Sequence, residues 1–82
     1  MPYINVISRR DLDRGGPPVV AGELNYAITV MVLKYLALRD PSYQLYNEVL
    51  GVLEAVKAEL YRRVIAPYED LKCKENGDVY CI

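Results

Sequence analysis

Leu24, Ile28, Met31, Tyr35 and Leu38 recur at intervals of four, three, four and three residues. That spacing predicts a helix over 22–39 with one apolar stripe along it. Val30 and Val32 add apolar surface off the stripe, so the helix has more than one neighbour to meet. Asp40-Pro41 ends it and begins the next: aspartate is a good N-cap, and proline in the first helical turn forfeits no hydrogen bond. A second, longer helix is predicted over 41–75, about 25 residues and roughly 37 Å of it before Pro67. Pro67 lacks an amide donor and crowds the carbonyl of Arg63, which predicts a kink or break there. Asn76-Gly77 stops the helix and leaves 76–82 as a tail.

The short link makes the two helices an antiparallel hairpin. A two-helix hairpin has no closed core, and a chain of 82 residues buries only about 60 to 65% of its unfolded surface. The expected architecture is therefore all-α: one domain, 1–82, whose two-helix hairpin carries an extended N-terminal arm (1–21) and assembles into a homo-oligomeric helical bundle, dimer or higher. Within the arm, Tyr3 to Ile7 alternates loosely, a charged run Ser8–Arg14 follows, and Gly15-Gly16-Pro17-Pro18 forms a turn or extended linker.

Several functions are disfavoured by what the chain carries. A net charge of -1 argues against generic binding to DNA or an anionic membrane. Histidine is absent, which removes the commonest general base and metal ligand. Glu54 and Glu59 are five apart and diverge on a helix, so they do not form the Glu-x-x-Glu pair that holds a metal in small helical pyrophosphatases. Ser8, Ser42, Cys73 and Cys81 have no base beside them, and no phosphate-binding glycine loop is present. The expectation is no catalytic residue, no metal and no cofactor. Cys73 and Cys81 read as reduced thiols, with a disulfide closing the C-terminal turn as the alternative. Met1–Arg10 has no signal-like apolar run, and Ala27–Leu33 is broken by Thr29, which predicts a cytosolic protein.

The aromatic inventory is eight Tyr with no Phe and no Trp, so each ring sits where one end is apolar and the other finds a polar partner. At 100° per residue the second helix divides into three stripes. Leu45, Val49, Val52, Leu53, Val56, Leu60 and Val64 form an apolar face expected to meet the first helix, and Gly51, Ala55 and Ala58 form a stripe of small residues beside it. The third stripe holds Tyr43, Tyr46, Asn47, Leu50, Glu54, Lys57, Tyr61 and, if the helix continues, Tyr68. It reads as a contact surface: either an oligomer interface, or a ligand pocket at that interface, and the two are compatible. In the pocket, Tyr43, Tyr61 and Tyr68 would stack on planar bases, Asn47 would read base edges, and Lys57, Arg62 and Arg63 would hold phosphate. Arg62-Arg63 also reads as an ordinary solvated pair bridged to Glu59 or Glu69.

Leu24-Asn25-Tyr26-Ala27-Ile28, Ser42-Tyr43, Asn47-Glu48-Val49 and Gly51-Val52-Leu53-Glu54 resemble blocks of a family of very short tailed-phage proteins. So do Lys57-Ala58-Glu59-Leu60-Tyr61-Arg62-Arg63, Ala66-Pro67-Tyr68-Glu69-Asp70 and Asn76-Gly77-Asp78-Val79-Tyr80. The resemblance covers roughly residues 23–80, leaves out the arm, and is to domains of unknown function. It implies viral or prophage origin and fixes no activity.

Two functions fit this inventory, with a purely structural helper that has no ligand as a third. One is a non-enzymatic phage protein that binds a nucleotide-like anion between subunits, sequestering a host cyclic nucleotide immune signal without cleaving it. The other is an adaptor or inhibitor that docks a host or replication protein on the tyrosine face, since interfaces favour Tyr and Arg as anchors.

Overall fold

The computed structural model describes residues 4–80, whose regular elements are all helical, with no strand among them. The chain divides into two compact units, Met1–Leu45 and Tyr46–Ile82.

In the first unit, α1 (Val6–Asp13) packs on α2 (Ala21–Ala37). The extended arm predicted for 1–21 is thus corrected: most of it is a helix and a turn. Asn5 is extended and its side-chain oxygen accepts from the Ser8 amide at 2.8 Å, an N-cap that starts α1. Docking against α2 then supplies the stability that a single eight-residue helix lacks. The Tyr26 phenol of α2 donates to Asp13 of α1 at 3.0 Å, and the Arg9 guanidinium lies 6.0 Å from the same ring. Gly22 lets Ile4 approach α2, because a Cβ there would sit 3.3 Å from Ile4 Cγ2.

The α1–α2 link takes the turn that its glycines and prolines predict. Gly15 has φ 93°, open to glycine at no steric cost. The Gly16 amide donates to the Asp11 carbonyl at 2.8 Å, so close that a Cβ would also fall 2.8 Å from that oxygen. At the start of α2, Glu23 reaches back to accept from the Val19 amide at 2.8 Å. At its end, Arg39 donates to the Tyr35 carbonyl at 2.6 Å and stacks on the Tyr35 ring at 3.6 Å, placing a cation at the helix C-terminus.

α3 (Tyr43–Leu60) begins in the first unit and supplies the first part of the second. Its cap is Ser42, whose Oγ accepts from the Leu45 amide at 3.0 Å. This corrects the expected start at Asp40-Pro41 by two residues: Ser42 is as good a cap as Asp40, and the chain uses the later of the two. Leu45 is the one buried hydrophobic side chain among the described residues, at 7% exposure.

The second unit is one helical run in three segments: α3, a π-helical turn (Tyr61–Ile65) and α4 (Ala66–Asn76). Pro67 therefore neither breaks the helix nor simply kinks it. It cannot donate, and its ring crowds the Arg63 carbonyl, so the preceding turn widens until the Ala66 amide donates to the Tyr61 carbonyl five residues back. α4 ends at Asn76, where Gly77 takes φ 88° and donates to the Cys73 carbonyl.

Candidate functional site

The widened turn is the local feature that sets this surface. A π-turn inserts one extra residue, so every side chain beyond it is rotated by about 100° relative to an uninterrupted α-helix. Counting 100° per residue puts Glu69 well to one side of Tyr61, but the inserted residue brings it directly beneath. The Tyr61 phenol donates to Glu69 Oε1 at 2.6 Å. That bond and the nearby carboxylate charge, with a smaller contribution from burial, raise the Tyr61 pKa above its usual value. The same rotation carries Tyr68 out of the stripe in which simple counting puts it. Tyr68 instead offers its ring to Lys72, whose ammonium lies 5.5 Å from the centroid.

The proposed cations all have carboxylate neighbours. Arg62 donates through Nη2 to both oxygens of Glu59, at 3.0 and 2.5 Å, and Arg63 Nε lies 3.5 Å from Glu59 Oε1. Lys57 lies 3.6 Å from Glu54 one turn earlier. Of the two partners sequence reading offers the arginine pair, Glu59 takes it and Glu69 goes to Tyr61. These pairs are exposed and hold their partners weakly, by roughly 0 to 1 kcal/mol each.

Of the remaining candidates, Asn47 lies in α3 in the second unit and is exposed. Tyr43 stands in the first turn of α3, in the first unit, and is also exposed. Within the second unit the structure brings Tyr61, Arg62, Arg63 and Lys57 onto adjacent turns around Glu54, Glu59 and Glu69. The face is mixed in charge. The pairing of Glu69 with Tyr61 is what sequence reasoning misses, because an eight-residue spacing signals contact only once the π-turn is known.

Beside this face runs an apolar one. Val52, Val56 and Leu60 line a shallow groove with Glu59, Arg62 and Arg63 at its C-terminal end. At 61%, 61% and 52% these three side chains are exposed.

Cys73 in α4 carries a free, half-buried thiol. Desolvation, followed by the carboxylates of Asp78, Asp70 and Glu69, pushes its pKa up, which makes it a poor nucleophile. Cys81, the other half of the suggested disulfide, lies outside the described residues. Among those residues no three His, Cys, Asp or Glu side chains are grouped to hold a metal ion, and no helix is long and apolar enough to cross a membrane.

The chain belongs to a family defined by a domain of unknown function (DUF6899), whose model matches residues 1–79. That match takes in the arm which the resemblance read from sequence leaves out. No curated protein and no solved structure matches the chain.

Proposed function

We propose that this member of the DUF6899 family is a non-enzymatic interaction protein of phage origin, working as a homo-oligomer in the host cytosol and offering its tyrosine face to a protein partner. One observation carries the reading: the apolar stripe of α3 is exposed from Val52 to Leu60, and Leu45 is the only buried hydrophobic side chain among the described residues. A helix that displays such a stripe in water finds a partner for it. The tyrosine face beside it suits a protein surface better than a polyanion. Each of Lys57, Arg62 and Arg63 already has a carboxylate neighbour, and Glu69 occupies the Tyr61 hydroxyl.

The second reading is the anionic ligand: a cyclic nucleotide or other phosphate-bearing molecule held by Asn47, Lys57, Tyr61, Arg62 and Arg63 of the second unit. Its support is the 70% exposure of the Arg62 and Arg63 side chains, each with N–H donors beyond those that Glu59 engages. Phosphate oxygens would take the place of Glu59 on the guanidinium groups.

Sedimentation equilibrium combined with thermal melting over a hundredfold dilution tests the assembly. An oligomer whose Tm falls on dilution is expected; a monomer with concentration-independent melting overturns the reading. Native mass spectrometry with a cyclic dinucleotide then decides the ligand. No adduct at micromolar concentration is expected, whereas an adduct released intact, and lost in Arg62→Ala, establishes the second reading instead.

A further inference from the structure

The face of α3 that exposes Val52 and Val56, with half-buried Val49 at its N-terminal end, has a charge pattern that matches itself when a second copy is laid against it head to tail. Within the second unit, Val49, Val52, Val56, Glu59 and Arg63 follow at spacings of three, four, three and four, a heptad seam. Leu53 and Leu60 flank the seam on one side, together with Tyr46. Glu48, Ala55 and Arg62 flank it on the other, seven residues apart. The seam is apolar at its N-terminal end and becomes a charged pair, Glu59 with Arg63, at its C-terminal end.

A parallel pairing stacks equivalent seam positions, so Glu59 would meet its own copy and Arg63 its own, two like-charge layers. An antiparallel pairing removes both clashes. Val52 of one copy then meets Val56 of the other, and Glu59 lies beside Val49 at the edge of the seam. Leu53 packs on Leu53 of the partner subunit, and Tyr46 on the partner subunit's Leu60.

On the opposite flank Glu48 faces Arg62 of the partner subunit, twice by symmetry. Ala55 meets Ala55 of the partner subunit at the two-fold axis, where its small side chain lets the backbones come together near the short end of the usual 8–10 Å range. Arg62 can serve Glu59 in its own chain and the partner subunit's Glu48 together, since a guanidinium has five donors. The isologous arrangement is what a closed dimer requires.

We infer that the chain dimerises through α3 in an antiparallel coiled coil centred on Ala55, with Glu48 and Arg62 forming reciprocal ion pairs across the interface. The inference rests on the self-association proposed above and specifies the surface and its polarity.

Cross-linking reads the polarity directly. In a Cys73→Ser, Cys81→Ser background, Ala55→Cys is expected to give a disulfide-linked dimer on mild oxidation, while Val52→Cys is not. Efficient linking through Val52→Cys but not Ala55→Cys signifies a parallel pair and overturns the inference.

Charge exchange reads the ion pairs. Glu48→Arg and Arg62→Glu should each weaken the dimer about tenfold or more, and the double variant should recover most of the loss. Unchanged dimer affinity in both single variants overturns the inference and leaves self-association standing. A monomeric unsubstituted chain overturns both, leaving the stripe to its own first unit or to another protein.

Discussion

The Tyr61 hydroxyl donates to Glu69 across eight residues of one helical run, at 2.6 Å. Regular α-helical geometry places such a pair about 80° apart, so the bond exists only because the turn between them is π-helical. Its consequence is a tyrosine that resists ionisation. Below the ordinary tyrosine pKa of about 10 the bond contributes its full stabilisation, which is lost as pH rises through the higher folded-state value. Ultraviolet titration of the phenolates should show one tyrosine ionising later than an unperturbed one because of this bond, and Glu69→Gln should return it toward the others. An unchanged titration in that variant would remove Glu69 as the cause.

Pro67 is the origin of the widened turn, so replacing it should undo the pairing. Pro67→Ala restores the missing amide and relieves the crowding at Arg63, allowing regular α-helix through 61–65. Helical ellipticity should rise and stability increase by about 1–3 kcal/mol. Glu69 would swing about 100° away, and the delayed tyrosine should titrate earlier. Increased stability without that titration change would mean the π-turn has another cause.

Gly16 and Gly15 should resist substitution for different reasons. Gly16→Ala forces a Cβ to 2.8 Å from the Asp11 carbonyl oxygen, displacing a backbone atom at a cost of about 1–3 kcal/mol. Gly15→Ala meets no atom within 4 Å but must hold φ near 93°, a cost of about 1–2 kcal/mol. Chemical denaturation of both variants checks the order, with Gly16→Ala the less stable.

The contact between Tyr26 and Asp13 ties α1 to α2. Burial is the main cause of the raised Tyr26 pKa, and the hydrogen bond and charge of Asp13 add to it against the Arg9 cation. Tyr26→Phe should leave α2 folded and loosen α1, seen as faster amide exchange confined to residues 6–13. Exchange that stays slow there would show that α1 is held on α2 without this hydrogen bond.

Much of this was legible in the chain itself. The a/d repeat marks α2 to within a residue or two of its bounds, Asn76-Gly77 marks the end of α4, and Gly15-Gly16-Pro17-Pro18 marks a turn, because each signal is local: backbone sterics and side-chain period act within a few residues. The same holds for Arg62 with Glu59, neighbours on any helix at a spacing of three.

What only the tertiary structure decided depends on longer reach. α1 is a helix because α2 lies against it, and no propensity within Val6–Asp13 announces that neighbour. The crowding at Pro67 was visible as a disturbance, but whether a helix answers by breaking, bending or widening depends on which hydrogen bonds it can recover. Here it widened, and the one extra residue moved Tyr68 off the tyrosine stripe and brought Glu69 onto Tyr61. Residue identity determined which groups the face could contain; the hydrogen-bond pattern of one turn determined which of them meet.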